Sequence, residues 1–233
     1  MRKLVLHREF QASIPWLVAV YLPTLIALYV LIEVNLRTGI PVAFLTRDPA
    51  AAMNAPFYVG IFSNVGILFW CSTAAICLFS YRVLPENTNN REWSLFFLSS
   101  GLITGWLLLD DLFLFHEEVF PEYLFIPQKV VFAGYGVLII TFLARFKATI
   151  LNTAFLFLLL SFGFFGMSIF VDGLIKVKDF HIEFIAVGFR GRHLLEDGFK
   201  LLGIVSWSAY FMRTCLLQLR QQLHASSGVQ LER

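Results

Sequence analysis

The residues able to do chemistry are few here, and they lie inside or beside long apolar runs. One segment reads Asp110-Asp111-Leu112-Phe113-Leu114-Phe115-His116-Glu117-Glu118, another His193-Leu194-Leu195-Glu196-Asp197-Gly198-Phe199-Lys200, and Asp172 closes a third run. Carboxylates and imidazoles confined together are ligands for zinc or a hard cation. They are equally proton carriers, because burial and like-charge proximity push carboxylates toward protonation. In the first reading Asp111, His116, Asp172, His193 and Glu196 hold a zinc, iron or manganese ion that activates water. Asp110 or Asp197 is then the base, with Asp111 shared between metal and chemistry. Lys200 is the cofactor-binding candidate, an amine able to form a Schiff base with Glu196 and Asp172 as counter-ions.

Helical spacing limits these roles. Adjacent Asp110 and Asp111 point about 100° apart, so at most one is expected squarely on any given inward face. Asp110 and Glu117 are nearly aligned but about 10 Å apart along a straight helix, too far to share an ion. On the last apolar segment His193, Glu196, Asp197 and Lys200 fall within about 100° of arc, and Gly203, Trp207 and Tyr210 continue that face. Glu196 and Lys200 stand in the order that favours an intrahelical ion pair. Gly198 and Gly203 allow a neighbouring helix to come close. Ser100 and Thr104 share the face of Asp111; Ser161 and Ser168 precede Asp172 on its stripe; Ser63, Gly66 and Thr73 form a similar one. These suggest a polar pocket walled by the second, third, fifth and sixth apolar segments.

The elements that must position them are membrane helices. Hydrophobic residues make up 58% of the 233, 26 are Phe, and charged residues are 15%; the mean hydropathy is +0.73. Soluble chains carry about 25% charged residues, so lipid is the expected solvent. The expected fold is all-α, a polytopic bundle of six transmembrane helices in one integral membrane domain spanning 1–233. The spans fall near 14–33, 57–80, 93–115, 127–145, 149–172 and 194–215. The uncharged core of the last, 201–212, covers only about 18 Å of helix. Loops 35–56 and 173–192 lie along the interface. Pro85 and the asparagines at 87–90 mark the turn between spans two and three.

Glu33 and Asn35, Asp110 and Asp111, and Asp172 end the odd spans. Ser63 and Asn64, Gln128 and Lys129, and 193–200 begin the even ones. Alternating direction brings all six sets to one half of the bilayer. Ten of the 18 Lys and Arg residues lie on the side of the termini. The basic-residue rule therefore puts both termini in the cytoplasm, the chain in the cell (inner) membrane and the polar half outside. The basic start of the chain runs into the first span with no small-residue cleavage site, as in an uncleaved helix.

The polar pattern resembles the superfamily that includes alkaline ceramidases and adiponectin-receptor-type proteins, which implies metal-dependent hydrolysis of a lipid or other amphiphile. Those proteins have seven spans and paired histidines one turn apart on a late helix; this chain has six and no HxxxH, so the resemblance concerns chemistry and not membership. The segment 196–200 is similar to the EExxK signature of a family of intramembrane metalloproteases, whose later motifs are missing here. The alternatives are a carrier coupled to a proton or cation, and a non-catalytic accessory subunit of a larger membrane complex. For a carrier the almost wholly apolar cytoplasmic half is an obstacle, unless Thr73, Cys77 and Tyr210 line a narrow path. Membrane lipids are the expected surroundings, and near-balanced charge (18 basic, 16 acidic) excludes a basic nucleic-acid binder. No phosphate-binding loop, dinucleotide fingerprint or nucleophile elbow occurs. Cys71, Cys77 and Cys215 show no metal or disulfide spacing and read as small apolar fillers.

Overall fold

A computed structural model describes residues 2–84, 91–176 and 191–230. The turn at 85–90 and the apolar stretch 184–189 lie outside the described residues. Every regular element among the described residues is helical. The chain divides into two compact units, Met1–Val59 and Gly60–Arg233.

The first unit opens with α1 (Arg2–Thr38), which contains Pro15 and Pro23. Near its end Glu33 accepts from the Tyr29 hydroxyl at 3.1 Å and pairs with Arg37 at 2.9 Å. Gly39, at φ +71, turns the chain out of the helix, a left-handed conformation that costs glycine nothing. Asn35 seals the turn by donating its side-chain N–H to the Ile40 carbonyl at 2.6 Å. Two short helices follow, α2 (Val42–Thr46) and α3 (Pro49–Ala52), each begun by a proline-containing turn. Asp48 caps α3 by accepting from the Ala51 N–H.

The second unit holds α4 (Ile61–Val83), α5 (Arg91–Phe113), a π-helical segment (Phe115–Tyr123), α6 (Gln128–Arg145), α7 (Lys147–Leu151), α8 (Leu156–Lys176) and α9 (Gly191–Gln230). Among the described residues, α4, α5 and α6 are long and apolar enough to cross a membrane, and Leu156–Val171 of α8 is a shorter apolar helix. That marks a membrane protein. α9 runs 40 residues and carries Glu196, Asp197, Lys200 and Arg213 within its apolar part.

Side-chain pairings fix the directions. Gly66 lies against Ile204, Trp70 against Trp207, and Thr73 against Ser208, so α4 and α9 run parallel. Trp70 meets Asp111 while Leu78 meets Gly101, so α5 runs antiparallel to α4. Phe96 stacks on Phe142, and Tyr135 reaches Asp110, which turns α6 antiparallel to α5. Ser168 bonds Glu196 and Ser161 bonds Gly203, so α8 opposes α9. Asp110, Asp111 and Lys200 therefore share one end of this unit, and Glu92, Ser80 and Arg145 the other.

Close approach is made by two glycines. A Cβ at Gly203 would sit 2.7 Å from the Phe165 ring, and one at Gly101 2.8 Å from Leu78. Gly198, expected to serve the same purpose, has no described atom within 4 Å of that position. The apolar core is aromatic: Phe96, Phe97 and Phe211 are wholly buried, with Phe142 stacked on Phe96 and Phe146 edge-on to it. These rings fill the interior and do not face lipid.

Candidate functional site

α5 breaks where the site begins. Leu114 adopts a left-handed backbone (φ 53), rare for a non-glycine residue, and the chain re-forms as a π-helix at Phe115. The Leu114 carbonyl gathers the N–H groups of Glu117, Glu118 and Val119. Asp110 stabilises the break by accepting the backbone N–H of His116 at 2.9 Å. Straight-helix spacing consequently fails beyond Phe113. His116 folds back instead, its Nδ1 2.6 Å from Asp110 and its Nε2 3.4 Å from Glu117.

Asp110 is 4% exposed and also accepts from the Tyr135 hydroxyl of α6 at 2.7 Å. Such charge-assisted bonds are what make a buried carboxylate tolerable. Asp111 turns the other way. Its Oδ2 accepts from the Trp70 indole at 2.8 Å and its Oδ1 pairs with Lys200 at 2.9 Å. Both aspartates thus point inward, toward different neighbours, because each stands between a different pair of helices. The two occupy different inward faces, as the angle of about 100° between adjacent helical residues dictates.

His116 lies outside the spanning helices. Burial works to lower the pKa of its imidazole, but the hydrogen bonds to Asp110 and Glu117 outweigh this and push it up to about 9. The imidazole thus faces Asp110 and Glu117, and Lys200 faces Asp111. Openings to the surroundings are at Lys200 and Glu117, whose side chains are 38% and 49% exposed.

Below this cluster a line of polar groups descends through the aromatic core. Trp70 packs edge-on to Trp207, whose indole donates to Thr104 at 3.0 Å. Next, the Thr73 and Ser208 hydroxyls are 2.7 Å apart. Further down the Cys77 and Cys215 thiols meet, and the buried Ser80 Oγ lies beside Cys215 without a well-formed hydrogen bond among the described residues. Tyr210 meets Thr153 at 2.9 Å. Thr73, Cys77 and Tyr210 are all essentially inaccessible.

Of the residues expected from the sequence, Asp110, Asp111, His116 and Lys200 come together. Lys200 is committed to Asp111, where Glu196 was the expected partner. Asp197 is exposed on α9, so its carboxylate is not enclosed as a buried base would be. Glu196 takes part through its carbonyl, which accepts from Ser168. Asp172 and His193 lie on α8 and α9, and their side chains fall outside the described residues. Among the described residues no three His, Cys, Asp or Glu side chains gather as a metal would need. Ser161 and Ser168 bond backbone carbonyls of α9 and act as helix ties. Ser100 bonds the Phe96 carbonyl of its own helix. The fourth wall is α6, through Tyr135.

Trp70 and Tyr135 were not foreseen. Their only signal was an indole and a phenol placed within apolar helices, where a polar tip needs a partner.

No curated protein and no solved structure matches this chain. Residues 17–214, which take in α4 to α8 and the apolar part of α9, match the family described as Domain of unknown function (DUF8692), and the chain belongs to that family.

Proposed function

We propose that this chain is a six-span membrane protein that carries protons, or a cation exchanged for them, along the interface of α4, α5 and α9. The two further spans beyond the apolar helices of the second unit are α1 and α9, with α2 and α3 lying along the interface. Both termini are cytoplasmic, in the inner membrane, and the Asp110–Asp111–His116–Lys200 cluster opens to the opposite side. What supports the reading is one observation above all: the line of hydroxyls and thiols that continues the cluster into the core and ends at the Ser80 Oγ, which lies beside the Cys215 thiol without a well-formed hydrogen bond among the described residues. Hydroxyls and thiols both donate and accept, so they can pass a proton with the help of water. A buried polar atom without a well-formed bond calls for a water, an ion or a movement.

Trp70 and Trp207 interrupt the line, because an indole only donates. They are the closed gate in this conformation, and Lys200 is the lever. Protonating Asp111 removes the charge attraction that holds Lys200 against it and weakens, without breaking, the bond from the Trp70 indole.

Metal-dependent hydrolysis at the same residues ranks behind. A metal at Asp111 would have to displace Trp70 and Lys200, and one at Asp110 would have to displace Tyr135 and the His116 N–H. For the Trp70 indole and the His116 N–H, which lie inside the site, such a loss costs roughly 1–3 kcal/mol.

The test is proton flux into liposomes of purified protein carrying an internal pH-sensitive dye. Wild type should dissipate an imposed gradient, and Asp111→Asn should not. An Asp111→Asn, Lys200→Met double variant should melt near wild type yet also fail to conduct. Unchanged flux in either variant defeats the carrier reading. A silent wild type that co-purifies with a fixed partner selects the accessory role instead.

A further inference from the structure

A second polar site lies at the opposite end of the unit from the charge cluster, where α7 turns into α8 beside α9. A cavity of about 70 Å³ there is lined by Asn152, Thr153, Ala154, Arg213, Thr214, Leu217, Gln218 and Gln221. Arg213 is exposed and makes no ion pair among the described residues, and no carboxylate lines the cavity. The side-chain amides of Asn152, Gln218 and Gln221 likewise make no hydrogen bond among the described residues, whereas Thr153 and Thr214 donate to the carbonyls of Ile150 and Tyr210. The site thus offers a guanidinium and three amides as free donors. That inventory suits a phosphate group, which a guanidinium binds with two parallel bonds.

Its place says where the phosphate comes from. Arg213 falls inside the apolar part of α9, level with the turn that begins α8. Leu217 on the cavity wall and the neighbouring Leu216, Phe155 and Leu156 are exposed apolar side chains. In a membrane that combination is a headgroup contact with an acyl chain beside it. We infer that the Arg213 cavity binds the phosphate of an anionic phospholipid in the leaflet opposite the Asp110–Asp111–Lys200 cluster. The inference stands apart from the carrier reading, since it uses none of the residues of the cluster or of the gate.

Native mass spectrometry of the purified full chain tests it, with phosphatidylglycerol and phosphatidylcholine supplied together. Wild type should retain phosphatidylglycerol preferentially. Arg213→Gln should weaken that retention about tenfold, the size expected for one lost charge-assisted contact, and leave phosphatidylcholine unchanged. Asn152→Ala should weaken it less. Arg220→Gln, an exposed arginine on α9 outside the cavity, should have no effect. Equal retention by wild type and Arg213→Gln overturns the inference, as does an equal loss in Arg220→Gln, which would assign the preference to the basic surface at large. Inorganic phosphate that displaces the lipid at millimolar concentration would make the ligand a free anion and overturn the lipid assignment. Because Arg213 is exposed, its replacement leaves the fold intact, and a melting curve on each variant checks this.

Discussion

Raising the pH through the range where His116 gives up its proton should loosen the fold by a calculable amount. The imidazole is held at about 9 against an ordinary 6.5. A folded-state value above the unfolded one means that the protonated ring stabilises the native chain. That contribution is complete below pH 6.5 and is lost as the pH climbs through 9. A shift of that size is worth about 3 kcal/mol at 1.36 kcal/mol per unit. For a chain of this length about 3 kcal/mol corresponds to a change in melting temperature of roughly 6–12 °C. The assay is tryptophan-emission melting of purified protein in one detergent between pH 6 and 10, comparing wild type with His116→Gln. Other groups titrate over the same interval, so the quantity to read is the difference between the two profiles. Wild type should lose its advantage between pH 6.5 and 9.5, and the curves should meet above that. Glu117→Gln, which removes the weaker and half-exposed partner, should give an intermediate profile. Two parallel profiles, offset but equally steep, would refute the reasoning, because His116 would then not be the group that titrates.

Three further outcomes follow from the packing. Gly203→Ala drives a methyl group to within 2.7 Å of the Phe165 ring and should destabilise by about 1–3 kcal/mol, the usual toll of overpacking; Gly105→Ala, with open space at that position, should leave the melting temperature level or slightly raised. Trp207→Phe keeps most of the aromatic contact but strips Thr104 of its donor, at a cost of about 1 kcal/mol. Asp111→Asn alone leaves Lys200 partly buried without its counter-ion and should melt below the Asp111→Asn, Lys200→Met double variant, the ordering expected when an unmatched charge outweighs a lost pair.

Much of this could be read from the chain itself, and the failures have physical causes. Aspartates and a lysine inside apolar runs stand out by their transfer cost alone, which is why Asp110, Asp111 and Lys200 were legible. Alternating helix direction was enough to place Asp110, Asp111 and Lys200 at one end of the second unit. What could not be read was which donor meets which acceptor. Periodicity gives a direction around one helix but no partner, so Lys200 was assigned to Glu196 on its own helix when a neighbouring helix offered Asp111. The break at Leu114 was hidden because hydropathy runs on smoothly through it, and with the break went the placement of His116. Trp70 and Tyr135 are apolar by any composition scale, yet their polar tips complete the site. The same blindness treated Cys77 and Cys215 as separate fillers, and composition alone did not show that Phe96, Phe97 and Phe211 pack the interior.

The carrier reading depends on the buried hydroxyls more than on the charges, since a cluster of charges can also serve merely to hold helices together. A Thr73→Val, Ser208→Ala variant cuts the line at its narrowest described contact, 2.7 Å, while leaving Asp110, Asp111, His116 and Lys200 untouched. Proton flux in liposomes containing this variant should fall to that of protein-free liposomes, with the pH profile of its melting temperature still that of wild type. Flux equal to wild type would contradict the account and leave the polar groups as helix ties.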